Sequence, residues 1–130
     1  MLPTKLALVV RDDLPPNLAA NAAVNLGLTL GARLPDLLGE DGEDADGALH
    51  LGLNTHPVPV LTASAEQLKA LHRADGVLKI GFTEVARRSR AYGEYLEALA
   101  RTADPEYVAV ALYGPRAEVT RLTRRLPLMA

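Results

Sequence analysis

The sequence predicts a small α/β domain in which helices cover both faces of a mixed, mostly parallel sheet of four to five strands. Two segments support this prediction. Residues Lys5–Arg11 are an almost continuous apolar run, as expected of a central strand that is covered on both sides. Residues Tyr107–Tyr113 form a second strand of this kind, and Gly114-Pro115 then marks a turn into a helix. Because helices are predicted between the strands, we expect a three-layer α/β/α sandwich.

The first half of the chain alternates strand, turn and helix. After the first strand an acidic turn with two prolines leads to Asn17, which can cap a helix that runs to about Ala32. Residues 36–47 form an acidic loop, because Gly and Asp disfavour both helix and strand. Two short strands are predicted next, at Ala48–Leu53 and Val58–Thr62. Pro59 favours an irregular or edge position for the second of them.

The second half continues the alternation. Ser64 and Gln67 form a capping box at the start of a strongly amphipathic helix. Pro115 suits the first position of the last helix, where its missing N–H costs nothing. The other predicted elements are a strand at Val77–Ile80, a helix at Thr83–Arg101 with an interruption near Gly93, the last helix to about Arg125, and a terminal edge strand at Leu126–Met129.

Composition excludes several classes of protein. The 130 residues fit one domain, 1–130, and contain no cysteine, which excludes disulfides, thiolate metal sites and cysteine nucleophiles. The net charge of −2 argues against nucleic acid as a partner, and no aromatic interleaving or base-reading module accompanies the arginine clusters. No segment has the pattern of a targeting peptide or a membrane helix. No histidine has metal-ligand spacing. We therefore expect a soluble cytoplasmic protein without metal or cofactor.

Charge is unevenly distributed along the chain. Residues 1–65 carry three basic and eight acidic side chains, whereas residues 66–130 carry eleven and eight. The acidic excess lies mainly in the 36–47 loop. The arginines fall in two clusters, Arg87–Arg90 and Arg121–Arg125, which we interpret as solvated helix faces.

A row of uncharged polar side chains marks the first predicted helix. Asn17, Asn21, Asn25 and Thr29 recur every four residues and so share one face. Solvent-facing rows usually contain Glu, Lys or Arg, which are better helix formers than Asn. The row therefore indicates contact with internal polar groups, a ligand or a second subunit, and we expect self-association through the 17–32 helix as one of these outcomes.

Two strand ends supply candidate ligand-binding residues. Arg11 and Asp13 follow the first strand, and Gly114 and Arg116 follow the last, where free helix N–H groups can hold an anion. If both strands are parallel neighbours, these turns meet at the carboxyl end of the sheet, where open α/β sheets bind ligands. The sequence then predicts a cleft for a small polar or anionic ligand, walled also by Asn17, Asn21 and Thr83.

The segments described above resemble type II peptidyl-tRNA hydrolases in order and spacing. The resemblance lies in Leu8–Leu14 with the Ala19-Ala20 helix, in Val58–Thr62 with the Ser64 helix, and in Val110–Pro115 with the final helix. Residues 48–54 and the helix at 84–104 look like additions. The whole chain is similar to a bacterial family of uncharacterised proteins with this fold. The resemblance implies a peptidyl-tRNA hydrolase II-like three-layer fold.

The catalytic pattern of that family is altered here. Its lysines after the first turn correspond to Asn17 and Leu18, its glutamine to Asn21, and its acidic residue before a threonine is missing from Ile80–Thr83. Three functions fit these residues: a ligand-binding protein, a hydrolase of aminoacyl or peptidyl esters or amides in which Asp13 is the base and Thr83 a hydrogen-bond donor, and a non-catalytic dimerisation module. Whether the chain is an enzyme stays open at this point.

Overall fold

A computed structural model describes all residues, 1–130. The elements in chain order are β1 (Thr4–Arg11), α1 (Pro16–Arg33), β2 (Gly42–Glu43), β3 (Leu49–His50), β4 (Val60–Ala63), α2 (Ala65–Arg73), β5 (Leu78–Thr83), α3 (Glu84–Arg88), α4 (Tyr92–Ala100), β6 (Tyr107–Pro115) and α5 (Arg116–Thr123), with a 3-10 turn at Pro35–Leu37. The α/β class is therefore confirmed, with four strands in the main sheet.

The main sheet has the strand order β4-β1-β6-β5 and is mixed. Strands β1 and β4 are parallel, whereas β6 is antiparallel to both of its neighbours, β1 and β5. The prediction of a mostly parallel sheet is therefore wrong, since only one of the three strand pairs is parallel. Strands β1, β4 and β5 all run in one direction, and β6 alone runs in the other.

The reversal of β6 has a local cause in the segment before it. A continuous helix over Thr83–Arg101 would carry the chain about 28 Å, to the far end of the sheet. The helix instead breaks at Ser89–Ala91 into α3 and α4, which pack against each other. The backbone N–H of Glu84 donates to the carbonyl of Glu106 at 2.9 Å, so the segment leaves and returns at the same place. Strand β6 consequently starts where β5 ends.

Two apolar layers cover the sheet. One contains α1, whose buried residues Ala19, Ala22, Leu26 and Leu30 pack on alternate residues of β1 and β6. The other contains α2 and α5, which contribute Leu68, Leu71 and Val119. Strand β1 is buried on both faces, with Ala7 and Val9 fully covered, as its continuous apolar run predicts.

Residues 36–57 differ most from the sequence prediction. The predicted partly buried strand at Ala48–Leu53 is only the two-residue β3, which pairs with β2 in a small separate ribbon. This ribbon is exposed, because it lies outside the main sheet and nothing in the chain covers it. The carboxyl-terminal tail does approach the sheet edge: Leu128 forms a single antiparallel bridge with Leu61 of β4.

The capping box at Ser64 allows a direct test of local stability. The Ser64 hydroxyl accepts the Gln67 N–H at 3.1 Å, and the Gln67 side chain accepts the Ser64 N–H at 2.9 Å. We expect Ser64→Ala to lower the free energy of unfolding by about 1 kcal/mol, because helix α2 loses its cap. Urea unfolding measures this loss. Ser64→Asp keeps an oxygen acceptor and should retain most of the stability; equal losses in both variants would contradict the capping role.

Candidate functional site

Several predicted site residues meet at one edge of the sheet. Because β1, β4 and β5 run in the same direction, their carboxyl ends lie together. Arg11 ends β1, Asp13 follows it, and Thr83 ends β5. The structure therefore brings the predicted residues Arg11, Asp13 and Thr83 to the same edge.

An ion-pair network connects the ends of β1 and β5. Arg11 is mostly buried, donates from Nε to Asp13, and donates from Nη1 to Glu84 at 3.0 Å. Glu84 also pairs with Arg87 at 2.8 Å and with Arg88 at 3.4 Å. Sequence reasoning missed Glu84, although its spacing of three and four residues from two arginines was a usable signal. The network fixes α3 relative to the end of β1.

The network also sets the charge states of its carboxylates. The hydrogen bond from Arg11 holds the pKa of Asp13 below its usual value. Burial of Glu84 acts to raise its pKa, but the hydrogen bonds from Arg87 and Arg11 outweigh it, so the pKa of Glu84 is also lowered. Both carboxylates are therefore ionised at neutral pH. A lowered pKa makes Asp13 a weaker proton acceptor than a free carboxylate.

Thr83 also lies at this end of the sheet and forms a hydrogen bond with a structural role. Its side chain is buried, and its hydroxyl oxygen accepts the Ala86 N–H at 3.1 Å, which caps α3. The same threonine thus ends β5 and begins α3. This position places Glu84 in the first helical turn, where a carboxylate is favoured by the helix dipole.

Gly114 and Arg116 lie at the opposite end of the sheet, which corrects the predicted cleft. In the antiparallel register Lys5 faces Gly114, so this corner is about 20 Å from Arg11 at the usual rise per strand residue. Arg116 holds the amino-terminal segment: its N–H donates to Pro3 and its Nε donates to Leu2 at 2.7 Å. A cleft between the Arg11 turn and the Gly114 turn does not exist, because β1 and β6 are not parallel.

The polar row of α1 is exposed and partly bonded to itself. The Asn25 side-chain amide donates to the Asn21 carbonyl at 2.9 Å, and the Thr29 hydroxyl donates to the Asn25 carbonyl at 3.5 Å. Asn17 and Asn21 face solvent at the start of the helix. Asn25 and Thr29, further along the same row, border a cleft.

We call this the polar cleft. It has a volume of about 290 Å³ and lies between α1, the outer strand β5 and the α3–α4 connection. Its lining residues are Asn25, Leu26, Thr29, Ile80, Gly81, Phe82, Ala86, Ser89, Arg90, Ala91, Tyr92 and Tyr95. The cleft therefore has an apolar floor from β5 and a polar rim from two opposing segments.

The rim of the polar cleft carries a cation without a carboxylate partner and a pair of aromatic rings. Arg90 takes part in no ion pair, in contrast to Arg87 and Arg88. The rings of Tyr92 and Tyr95 lie edge to face with centroids 5.4 Å apart. Burial raises the pKa of the Tyr95 phenol, so it is a neutral hydrogen-bond donor at neutral pH. The arrangement offers one free cation beside hydroxyl groups and an aromatic surface.

Other kinds of site are not found. No group of three or more His, Asp or Glu side chains is arranged to hold a metal ion. None of the helices combines the length and the apolar character that crossing a membrane requires.

The Arg11–Glu84 pair generates a test of the strand-end network. We expect Glu84→Gln to lower the free energy of unfolding by about 1–2 kcal/mol at pH 7, between the values for surface and buried pairs. Because folding lowers the pKa of Glu84, its contribution is fully present above the unfolded pKa and is lost as pH falls through the lowered folded pKa. The difference between wild type and variant, measured by urea unfolding, should therefore shrink in acid as Glu84 becomes protonated. Glu94→Gln is the control, since Glu94 is exposed and makes no ion pair; an equal loss there would contradict this role.

A family model and a solved structure match this chain. The model of the family described as "protein of unknown function (DUF2000)" matches residues 4–130. A solved structure of a protein of unknown function, Atu0240 from Agrobacterium tumefaciens strain C58, superposes with a TM-score of 0.91 at 22% identity and covers 100% of both chains. That likeness shows a shared fold. No curated protein matches the chain. The chain therefore belongs to the DUF2000 family of proteins of unknown function.

Proposed function

We propose that this protein binds a small organic anion in the polar cleft between α1 and the α3–α4 connection. The observation that carries the proposal is the free guanidinium of Arg90 at the rim, opposite the polar row of α1. Three other arginines on nearby elements, Arg11, Arg87 and Arg88, are all paired with carboxylates. Arg90 is the cation of this region that is left for a ligand.

The chemistry of the rim defines the class of ligand. A guanidinium prefers a carboxylate or phosphate, with which it makes two parallel hydrogen bonds. The Asn25 side-chain oxygen accepts no hydrogen bond from the protein and suits a donor on the ligand, such as a hydroxyl or amine. The two tyrosine rings favour a planar or apolar group. The volume of about 290 Å³ suits a small metabolite.

The polar cleft differs from the cleft predicted from the sequence, but the expected ligand class, a small polar or anionic molecule, is the same. Asn17 and Asn21 belong to the same helical row and extend it toward the strand ends. Arg11 and Thr83 act at a distance, because they fix the start of α3 and thereby the Ser89-Arg90 segment that follows it. Gly114 and Arg116 have no part in this cleft.

The hydrolase hypothesis receives less support. It assigns Asp13 as the base and Thr83 as a donor, but the Arg11 hydrogen bond lowers the pKa of Asp13, and a general base works best with a pKa near the working pH. The peptidyl-tRNA hydrolase II-like fold is likewise a proposal. It is supported by the order of the resembling segments.

Thermal-shift measurements test the ligand proposal. We expect members of a panel of small carboxylates and phosphates to raise the melting temperature, since a ligand at a hundred times its Kd adds about 2.7 kcal/mol. Arg90→Ala should abolish the shift for every stabilising anion, and Asn25→Leu should reduce it.

The matched control is Arg101→Ala, which removes an exposed arginine outside the cleft. This variant should respond to the panel like wild type. If Arg90→Ala and Arg101→Ala respond alike, the stabilisation comes from another site and the proposal is wrong.

We also propose that α1 mediates self-association. Val24 and Leu28, four residues apart on its outer face, are 62% and 71% exposed, and the helix carries no charge before Arg33. An exposed apolar stripe of this kind is typical of an interface. The acidic segment 36–46 has six carboxylates and no basic residue, whereas the rest of the chain carries a net positive charge. The acidic segment of one copy is therefore complementary in charge to the rest of a second copy.

Light scattering tests this interface. Wild type should have twice the mass of the single chain, and Leu28→Glu should be monomeric, because a carboxylate at the interface would lose its hydration. Leu96→Glu places the same charge on an exposed leucine of α4 and should leave the mass unchanged. A Leu28→Glu protein with the wild-type mass would exclude α1 as the interface.

A further inference from the structure

A second cavity lies on the other side of α1 and is almost entirely apolar. It has a volume of about 310 Å³, is partly open to solvent, and lies between α1, strands β1 and β4, and the segment around Leu37. We call it the apolar cavity. Its lining residues are Leu6, Ala7, Leu8, Ala23, Leu26, Gly27, Leu30, Gly31, Leu37, Leu38, Asn54, Val58 and Val60. This volume is about twice that of a cavity of about 150 Å³ that holds a benzene molecule.

Missing side chains on α1 leave this cavity open. A Cβ atom added at Gly27 or Gly31 would meet no atom within 4 Å, so neither glycine is required by close packing. Glycine is also a poor helix former, and its presence at both positions lowers helix stability. The single polar wall residue, Asn54, uses its amide on the backbone of His56. The cavity thus offers no free polar group to hold water.

A cationic recess adjoins the apolar cavity, and Leu6 and Val58 line both. The recess has a volume of about 360 Å³ and contains Lys5, His56 and Arg116 but no carboxylate. Lys5 donates to the Thr120 hydroxyl of α5 at 3.2 Å, and the Arg116 guanidinium donates to the carbonyls of Leu2 and Thr4. Neither cation forms an ion pair. The recess therefore contains two positive charges without a counter-ion, and it meets the apolar cavity at Leu6 and Val58.

We propose that these two cavities together bind an amphiphile, with an apolar chain in the apolar cavity and a carboxylate in the cationic recess. Binding buries the hydrocarbon surface of the amphiphile against leucine, alanine and valine side chains, which is favourable. The carboxylate supplies the negative charge that Lys5 and Arg116 lack. This site lies on the opposite side of α1 from the polar cleft and does not depend on the function proposed for that cleft.

Calorimetric titration with octanoate tests the proposal. Octanoate should bind the wild-type protein, and acetate, which lacks the chain, should not. Octanol, which lacks the charge, should bind at least about fivefold more weakly than octanoate, as expected for loss of one charged contact. Octanol binding as tightly as octanoate would overturn the assignment of the recess to a carboxylate.

Gly31→Leu fills the apolar cavity while improving helix propensity, so the variant should remain folded. We expect it to weaken octanoate binding at least tenfold. Gly93→Leu is the matched control, because Gly93 is also helical and a Cβ there also meets no atom within 4 Å. Equal octanoate affinity in both variants would overturn the proposal.

Lys5→Met isolates the head-group contact. It should weaken octanoate binding at least about fivefold and leave octanol binding unchanged. Lys5→Arg keeps the positive charge and should bind octanoate like wild type. Circular dichroism verifies that each variant is folded. If Lys5→Met weakens both probes equally, the lysine supports the fold and does not contact the carboxylate.

Discussion

The pairing of β6 between β1 and β5 is the constraint on which the rest of the structure depends. Strand β6 is antiparallel to both neighbours, and its buried residues Val108–Leu112 contribute to the apolar layers on both faces of the sheet. Its direction forces the carboxyl ends of β1 and β5 to one edge and sends the Gly114 corner to the other. The break at Ser89–Ala91 makes this possible, since an unbroken helix would have delivered the chain to the far end.

Ion pairs distinguish the cations that stabilise the fold from the cations that have no carboxylate partner. Arg11, Arg87 and Arg88 converge on Glu84, and Lys69 bridges Asp104 and Glu106, so carboxylates at the strand-end edge are matched by cations of the fold. These pairs hold α2, α3 and β6 in place. Three of the cations without a carboxylate lie beside concave surfaces: Arg90 at the polar cleft, and Lys5 with Arg116 at the opposite corner. A cation without a counter-ion beside a concave wall is a more informative feature than a cluster of arginines in the sequence.

Helix α1 borders two concave surfaces of different polarity. Its Asn25–Thr29 row borders the polar cleft, its Gly27 and Gly31 border the apolar cavity, and Leu26 contributes to both walls. Residues four apart share a face while neighbours in sequence do not, so a single helix can supply a polar rim and an apolar wall. The absence of charge along most of α1 is explained by these two environments together with its exposed Val24 and Leu28.

Local and periodic features were determined by the sequence itself. The double-sided burial of β1, the α1 row, the capping box at Ser64 and the edge position of β4 all depend on a few neighbouring residues, whose preferences act without the rest of the fold. Strand direction, by contrast, depended on where the 84–106 segment returns, which is decided by the contact of α3 with α4 and by the Glu84–Glu106 hydrogen bond. The candidate site followed the same division. The polar row with Asn25 was visible in the chain, but sequence reasoning placed Arg90 only in a solvated arginine cluster. The separation of Arg11 from Arg116, and the placing of Asn25 and Arg90 on one cleft, required tertiary packing, because residues 65 positions apart have no local signal that brings them together.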